Sequence, residues 1–280
     1  MISVSIIIAV YNRVDALERV LFALSEQDCR STTFTFEVIV ADDGSSSEVA
    51  SLLENLKNKL PYNLLHVWQP DDGFRAAIIR NKAAAKAKGD YIIFLDGDCV
   101  PPIFFVRRHL QLAEKDWFVS GNRILLTKDF TREVITQKMP VYRWDLLSCI
   151  QARFKGFCNR CVPFIYFPLG IIRKIWAKKW QGAKSCNLAM WRQDFLAVNG
   201  FDEQYAGWGY EDSDLVIRLI RNKIRRKNGN FAVPVIHLWH KEAARNLENL
   251  NYTRLMQQQK SEGSAWVQDG VNKYLESIER

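Results

Sequence analysis

The sequence lacks any long uninterrupted apolar segment. Its 280 residues contain no run of eighteen apolar side chains, whereas a membrane-spanning helix needs about twenty. The strongest candidate, VPFIYFPLGII at residues 162–172, is too short and contains Pro163 and Pro168. The first segment, MISVSIIIAVYNR, has no basic region before its short apolar run, so it does not match a signal peptide. These absences predict a cytoplasmic protein without a transmembrane helix.

The chain also lacks the cysteine pattern of a disulfide-built or zinc-ribbon protein. Its six cysteines are scattered: Cys29, Cys99, Cys149, Cys158, Cys161 and Cys186. A chain of this length can bury a core without covalent cross-links, so we expect reduced thiols. One C-x-x-C pair, CNRC at residues 158–161, is present, but no second pair completes a four-thiolate zinc site. We expect no metal or redox role for that pair.

Acidic residues are missing from one long stretch, residues 146–193. This basic aromatic segment carries nine lysines and arginines interleaved with aromatic residues, in a chain whose net charge is +8. Basic and aromatic side chains together favour an anionic lipid surface or an acidic ligand. We therefore hypothesise that the segment faces an anionic membrane or a charged acceptor. The alternative interpretation is a flap over the acceptor site with a solvated basic face.

What is present in the first hundred residues is a regular alternation of strand and helix patterns. Apolar, β-branched runs predict strands at residues 4–10, 36–41, 63–68 and 91–95, and helical periodicity predicts helices at 15–27, 47–60 and 74–88. Gly89 stands where a helix C-cap is expected. Alternating strands and helices need crossover connections. The predicted fold class is therefore α/β, with a Rossmann-like, mainly parallel central sheet flanked by helices.

Each predicted strand is followed by polar side chains, which a parallel sheet would gather at one edge. The strand ends carry YNR at residues 11–13, DD at 42–43, DD at 71–72, and Asp96 and Asp98 around Gly97. Ligands of such sheets lie off the carboxyl ends of the strands. Two carboxylates one residue apart repel each other unless a cation lies between them. Because Mg²⁺ and Mn²⁺ prefer carboxylate oxygens, the D-x-D predicts a divalent metal site.

A second dense motif is GWGYEDSDL at residues 207–215. Gly207 and Gly209 flank Trp208 and predict a tight backbone that exposes an indole to a ligand. Glu211 and Asp212 suit a general base, although acidic residues are also favoured in any first helical turn. Asp214 points elsewhere on a helix and suits a cap. In HLWH, His237 and His240 are either structural or a further metal ligand beside the D-x-D.

Together, SIIIAVYNR, VIVADDGSS, DDGFRAAIIRN, KGDYIIFLDGD and GWGYEDSDL resemble the family 2 glycosyltransferases with a GT-A fold. The resemblance covers roughly residues 1–245, with the motifs in order and at the usual spacing. It is closest to bacterial enzymes with a galactosyltransferase-type C-terminal segment, including chondroitin-polymerase-like catalytic domains. The resemblance divides the chain into a nucleotide-sugar-binding half (1–120), an acceptor-binding half (121–245) and a helical C-terminal tail (246–280).

The resemblance implies an inverting transferase that uses a UDP-sugar with Mn²⁺ or Mg²⁺. Asp98 would be the main metal ligand, joined by His240, with His237 as the alternative. Asp212 would be the catalytic base, and Glu211 would bind sugar hydroxyls. Trp208 and Gly209 would line the acceptor site. The remaining positions assigned to the nucleotide sugar are Val10, Tyr11, Arg13, Asp43 at the uracil, Asp72, Arg75, Arg80, Asp96 at the ribose and metal, and Gly97.

The expected reaction moves a hexose or N-acetylhexosamine to a hydroxyl of a bacterial surface glycan, of the lipopolysaccharide-core, O-antigen or capsule type. The expected location is the cytoplasm, with peripheral binding to the inner face of the inner membrane. Two alternatives are a non-catalytic basic protein that binds acidic glycan or nucleic acid, and a sugar nucleotidyltransferase. No RNA-binding signature is visible, so no nucleic acid is expected. A nucleotidyltransferase would carry a glycine-rich loop after the first strand, where this chain has AVYNRVDAL.

Overall fold

A computed structural model describes residues 2–28, 34–242, 245–260 and 263–275. Cys29 and the last five residues of the predicted tail lie outside the described residues. The strands within those ranges are β1 Ile2–Val10, β2 Phe34–Asp42, β3 Asn63–Trp68, β4 Tyr91–Asp96, β5 Cys99–Val100, β6 Trp117–Ser120, β7 Asn122–Leu125, β8 Asn187–Trp191, β9 Arg225–Asn228 and β10 Pro234–His237.

The helices of the described chain pack around these strands. They are α1 Val14–Ser25, α2 Ser47–Leu56, α3 Ala76–Lys86, α4 Phe105–Leu112, α5 Lys128–Thr136, α6 Leu146–Phe154, α7 Arg192–Ala197, α8 Glu211–Arg221, α9 Glu248–Lys260 and α10 Asn272–Leu275. The last two belong to the predicted helical tail. Among the described residues, no helix combines the length and the apolar character that crossing a bilayer requires.

The central sheet has seven strands in the order β3-β2-β1-β4-β8-β6-β9. Strands β1 to β4 run parallel to one another, while β8 is antiparallel to both β4 and β6. A smaller sheet, β5-β10-β7, lies beyond the carboxyl end of β4. The prediction of an α/β fold with a mainly parallel sheet is confirmed.

Both faces of the central sheet are buried, as the apolar runs predict. Along β1, Ile6 and Ile8 belong to one core cluster and Ile7 to the other, because successive side chains of a strand point to opposite faces. One cluster includes residues of α1 and α2, and the other includes residues of α3 and α8. Because helices cover both faces of the sheet, the ends of its strands are the part that a ligand can reach.

Gly89 does not cap a helix. Helix α3 ends at Lys86 with Ala87 as its C-cap, and Gly89 instead packs against β1, where its N–H donates to the Ser5 hydroxyl over 2.8 Å. A Cβ on Gly89 would lie 2.5 Å from the Ser5 backbone nitrogen. The glycine is therefore explained by the close approach of two backbones rather than by a left-handed cap.

The basic aromatic segment is shorter than the acid-free stretch suggests. Residues 187–191 form β8, which lies in the central sheet between β4 and β6. The part outside the sheet is therefore residues 146–186, with α6 and two short 3-10 helices, Val162–Phe164 and Gly170–Lys174. Charge composition missed this boundary because the NLAMW strand has no charged residue of either sign.

Candidate active site

The carboxyl ends of β1, β2 and β4 are tied together by backbone hydrogen bonds. The Asp43 N–H donates to the Val10 carbonyl over 2.9 Å, and the Gly97 N–H donates to the Ala9 carbonyl over 2.8 Å. A Cβ on Gly97 would lie 3.1 Å from that carbonyl oxygen and 3.2 Å from the Val10 side chain. The predicted residues Val10, Asp43 and Gly97 therefore meet at one edge of the sheet.

Asp43 is held rigidly in a buried position. Its Oδ1 accepts from Gln69 Nε2 over 2.6 Å, and its Oδ2 accepts from the Arg75 backbone N–H over 2.8 Å. Burial raises the pKa of Asp43, although these two hydrogen bonds act in the opposite direction. Because each carboxylate oxygen has two lone pairs, Asp43 retains acceptor capacity for a ligand N–H.

The loops after β2 and β3 are packed against each other beside Tyr11. The Tyr11 hydroxyl donates to Asp71 Oδ2 over 2.9 Å. Gly44 has φ +89°, and a Cβ there would lie 2.5 Å from the Asp71 Cα, so a side chain would separate the loops. The structure therefore places Asp71 rather than the predicted Asp72 against Tyr11. Asp72 is exposed and pairs with the Arg75 guanidinium at the rim.

Arg13, the remaining predicted residue of the first loop, lies directly before α1. Its Nε is 3.7 Å from Asp15 Oδ1, and its side chain is partly exposed. Burial is the main cause that lowers the pKa of His237 to about 4, and the charge of Arg13 adds a smaller contribution in the same direction.

Asp98 and the two histidines form a compact cluster. Asp98 Oδ2 is 3.1 Å from His240 Nε2, and Asp98 Oδ1 is 3.7 Å from His237 Nε2. The Leu238 N–H donates to the Asp98 carbonyl over 2.9 Å. The smaller sheet brings them together because His237 in β10 pairs with Cys99 in β5. Residues almost 140 positions apart in sequence are thereby neighbours.

The hydrogen bonds of His240 suit a metal ligand. His240 Nδ1 is 2.8 Å from the Lys241 carbonyl oxygen, and because a carbonyl only accepts, Nδ1 carries the proton. Nε2, the other ring nitrogen, faces Asp98 and is the atom that would bind an ion. Ligating histidines characteristically donate their other ring N–H to a carbonyl or carboxylate. His240 is also closer to Asp98 and more exposed than His237. The donor pair of Asp98 and His240 therefore fits Mn²⁺ or Mg²⁺.

Arg80 connects the D-x-D to the GYED motif. Its Nη2 donates to Asp96 Oδ1 over 3.0 Å, and its Nη1 donates to Glu211 Oε1 over 3.1 Å. The guanidinium is almost completely buried. Burial and the neighbouring Asp212 charge raise the pKa of Glu211 to about 7, against the influence of Arg80. One cation from α3 thus fixes the end of β4 relative to the beginning of α8.

Asp212 lies in the first turn of α8 and is half-buried. Its Oδ2 accepts from the Ser185 backbone N–H over 3.3 Å, and its Oδ1 accepts from the Ser213 hydroxyl over 3.3 Å. Asp214 faces away from the cleft, as expected for a helix. It is not a cap, however, because Tyr210 holds that position and Asp214 forms a buried ion pair with Arg218 at 2.7 Å.

Trp208 lies between two glycines in left-handed backbone conformations. Gly207 has φ +74° and Gly209 has φ +105°, so the predicted tight backbone is present. The Trp208 ring contacts the Arg245 guanidinium, whose carbon is 4.2 Å from the ring centroid. The indole is half-buried rather than fully exposed. Its partner, Arg245, directly precedes the predicted tail.

The residues around the site that no motif predicted are Gln69, Arg123, Arg245 and Ser185, which contributes its backbone N–H. Arg123, in β7, interacts electrostatically with both carboxylates of the D-x-D. Gln69 follows β3 directly, so the rule that ligands lie at strand ends could have found it. Nothing in the local sequence marks the other three, since their partners are distant along the chain.

We expect the Arg80→Met variant to lose about 3 kcal/mol of the free energy of unfolding, because it leaves two carboxylates facing each other without their cation. Chemical denaturation measures the change. The Glu211→Gln variant and the double variant complete a cycle, in which the double variant should be more stable than the sum of the single effects predicts. Strictly additive effects would show that the bridge does not couple the two motifs.

Two family models match the sequence and together cover both motif-rich halves. The model described as Glycosyl transferase family 2 matches residues 5–180. The model described as N-terminal domain of galactosyltransferase matches residues 173–241. The first match covers more than half of the chain and contains the ends of β1, β2 and β4, while the second contains GWGYED and the two histidines.

Relatives of known description match over most of this chain. Chondroitin synthase of Escherichia coli is 27% identical over 242 residues, covering 78% of this chain and 32% of that protein. Hyaluronan synthase of Pasteurella multocida is 29% identical over 244 residues, covering 79% of this chain and 23% of that protein. The chain therefore spans about a quarter to a third of the length of these relatives.

Solved structures share the fold at low sequence identity. GalNAc-T7 with UDP, GalNAc and Mn²⁺ matches with a TM-score of 0.61 and 16% identity, over 92% of this chain and 48% of that chain. The mannosyltransferase PcManGT from Pyrobaculum calidifontis, in complex with GDP-Man and Mn²⁺, matches with a TM-score of 0.56 and 17% identity, over 91% and 62%. These neighbours are GT-A glycosyltransferases, and the predicted GT-A fold is confirmed.

Proposed function

Because this chain belongs to the glycosyl transferase family 2, we propose that it is an inverting, metal-dependent transferase. It moves a hexose or N-acetylhexosamine from a UDP-sugar to an acceptor hydroxyl. The observation that carries the proposal is the Arg80 bridge, which joins Asp96 of the D-x-D to Glu211, the neighbour of Asp212, while Asp98 of the same D-x-D contacts His240. A metal-binding group and a general base therefore share one site.

The nucleotide would bind at the ends of β1 and β2. Asp43 accepts the N3–H of uracil with its remaining lone pairs, while Gln69 and the Arg75 backbone keep its carboxylate in place. Tyr11, about half-exposed beside it, provides a flat apolar surface for the base. Complexes of the structural neighbours contain UDP in one case and GDP-Man in the other. The choice of UDP therefore depends on Asp43.

The diphosphate would bind at Asp98 and His240. A bound Mn²⁺ or Mg²⁺ would neutralise the leaving diphosphate, which is the chemistry such ions supply in transfer sites. Asp96, whose Oδ1 accepts from Arg80, would bind the ribose and the same ion. Both structural neighbours named above have Mn²⁺ in their complexes, which supports the use of a divalent ion here.

Asp212 would remove the proton from the acceptor hydroxyl. The hydroxyl oxygen then attacks the anomeric carbon from the face opposite the departing diphosphate, so the configuration at that carbon inverts. Glu211 beside it binds sugar hydroxyls, and Trp208 and Gly209 line the acceptor side. Positioning and charge stabilisation provide most of the acceleration in such a site.

The decisive experiment is release of UDP from a panel of UDP-sugars, with Mn²⁺ or with EDTA and with GDP-mannose as the nucleotide control. The proposal predicts metal-dependent release from at least one UDP-sugar, and mass spectrometry of the freed sugar identifies the donor. Release from GDP-mannose alone would refute the assignment of Asp43 to uracil. The family match argues against a purely binding role and against a sugar nucleotidyltransferase.

For the acceptor, we propose a bacterial surface glycan on a lipid, reached from the cytoplasmic face of the inner membrane. The basic aromatic segment exposes large apolar side chains to water. Phe154 is 89% exposed, Ile171 81% and Ile175 68%. Clustered exposed apolar residues of this size mark interaction surfaces, and neighbouring lysines favour anionic lipid.

Hydrogen bonds from two arginine side chains fix the backbone of this exposed segment. Arg173, in the middle of the exposed isoleucines, is itself buried and donates to the carbonyl oxygens of Phe167, Asn228 and Asn230. The Arg226 guanidinium, on β9, binds carbonyls of residues 179 and 181. Two arginines thus anchor the segment to the central sheet while its apolar side chains face outward.

We expect the protein to co-sediment with anionic vesicles at low salt and less so at high salt, because lysines contribute to the attraction. A variant with Ile171→Ser, Ile175→Ser and Trp176→Ser should bind the vesicles at least about tenfold more weakly than the wild type. Leu250→Ser, which removes a similarly exposed apolar side chain from α9, is the matched control and should bind normally. Absence of binding at low salt would rule the membrane surface out.

A further inference from the structure

Two cysteine thiols lie directly beneath the D-x-D, and the proposed reaction does not use them. Cys99 follows Asp98 in β5, and Cys186 precedes β8; both side chains are buried. The two sulfur atoms and a carboxylate oxygen of Asp96 all lie within 4.8 Å of one another. The loop that carries the D-x-D therefore packs against the sulfur atoms of Cys99 and Cys186.

Cys99 belongs to a second group of donor atoms as well. Its sulfur, a carboxylate oxygen of Asp98 and a ring nitrogen of His237 lie within 4.8 Å of one another. The Cys99 sulfur is 3.5 Å from Asp98 Oδ1, the oxygen that is 3.7 Å from His237 Nε2. Around Cys99, two sulfurs, one imidazole and two carboxylates therefore converge.

This donor set differs from the one expected for Mn²⁺ or Mg²⁺. Hard ions prefer carboxylate, carbonyl and water oxygens, whereas thiolate and imidazole favour Zn²⁺ and the chemically similar Cd²⁺. A coordinating thiol gives up its proton to such an ion. Asp98 and His237 are partly exposed, so an ion can approach the sulfurs from the same cleft as the diphosphate.

The other described cysteine cluster lacks these features. The Cys149 and Cys158 thiols face backbone carbonyl oxygens of residues 149 and 160. Among the described residues, neither belongs to a group of histidine, cysteine and carboxylate donors close enough to hold an ion. This pair is therefore a matched control, because it is buried and thiol-rich but has no imidazole or carboxylate beside it.

We propose that Cys99 and the donors around it, Cys186 and Asp96 in one group and Asp98 and His237 in the other, form a binding site for a thiophilic divalent cation, Zn²⁺ or Cd²⁺. Its occupation inhibits transfer, because Asp98 then serves the thiophilic ion instead of the diphosphate-bound one. The inhibition rests on the proposed transferase function, whereas the binding does not. Asp98 belongs to both arrangements, so the two ions exclude each other.

The test is a Cd²⁺ titration of the metal-stripped full chain, without donor or acceptor, followed by the ultraviolet charge-transfer absorbance of cadmium thiolate. The wild type should develop the band, and the Cys99→Ser/Cys186→Ser variant should lose most of it. The Cys149→Ser/Cys158→Ser variant should keep it. An undiminished band in the Cys99→Ser/Cys186→Ser variant would overturn the site. Loss of the band only in the Cys149→Ser/Cys158→Ser variant would overturn it as well.

Single substitutions keep the test decisive if the double variant does not fold, as judged by circular dichroism. Cys186→Ala removes one sulfur ligand and should reduce the band by about half. Inhibition of UDP release by Zn²⁺ in excess Mn²⁺ is measured separately and should be relieved in the same variants. Because the absorbance measurement needs no substrate, it tests the metal site even if the chain is not a transferase. The release of UDP likewise tests the transferase proposal even if the chain binds no Cd²⁺.

Discussion

The Asp212→Asn variant is expected to lose transfer by about 10²–10⁴-fold, the usual contribution of a general base, while binding UDP and metal normally. Asn has the same shape, its oxygen can still accept from the Ser185 N–H, and its NH₂ can donate to the Ser213 hydroxyl, so α8 should begin unchanged. It cannot take a proton from the acceptor. Asp212 has no described contact with Asp98 or His240, so the metal cluster should be unaffected. UDP-release kinetics and calorimetric titration of UDP measure the two properties.

Asp214→Asn is the matched control, since it makes the same change two residues further along α8. Asp214 is buried against Arg218 and faces away from the cleft, so its substitution should lower thermal stability and leave turnover per folded molecule intact. Turnover by Asp212→Asn at the wild-type rate would refute the assignment of the base. A similar loss in both variants would show that helix integrity, rather than proton removal, limits the reaction.

The Asp98→Ala variant is expected to lose both transfer and metal-dependent UDP binding. Asp98 lies between the two histidines, and its removal leaves the imidazole of His240 without the carboxylate that shares the ion. Loss of a neighbouring group that only orients a ligand already costs about 10–100-fold in metal affinity, and loss of a direct ligand should cost at least that much. Calorimetric titration of UDP in Mn²⁺ and in EDTA measures the change.

Asp90→Ala provides the control for Asp98, because Asp90 directly precedes β4 at the opposite edge of the sheet, where it contacts Ser3. Its UDP affinity should equal that of the wild type in Mn²⁺. If Asp98→Ala retains the difference in UDP affinity between Mn²⁺ and EDTA, the ion binds elsewhere. If both variants lose UDP affinity equally, the sheet has been disturbed and the metal assignment gains no support.

The sequence predicted the half of the fold in which apolar strands alternate regularly with helices. Strands β1 to β4 are long, apolar and joined by crossover helices, so their pattern was enough to predict a parallel sheet. The other half of the sheet depends on β6, β8 and β9, which are four or five residues long. Arg225–Asn228 is entirely polar, and only its pairing with β6 makes it a strand.

The site was predictable where a motif is local and not where a contact is distant. Tyr11, Asp43, Asp96 and Asp98 follow their strands directly, as sheet geometry requires. The choice between Asp71 and Asp72 depended on the packing of two loops at Gly44, which no spacing reveals. Cys99 and Cys186 lie together only because β5 and β8 both begin beside the D-x-D.

The central claim, that Asp98 and His240 hold the catalytic ion, is tested most directly by titrating Mn²⁺ and following the electron paramagnetic resonance signal of the free ion in the presence of UDP. The account predicts that the wild-type chain removes the free-ion signal up to one ion per chain. Asp98→Ala and His240→Ala should leave the signal, while Asp212→Asn should behave as the wild type. Full Mn²⁺ binding by Asp98→Ala would contradict the account.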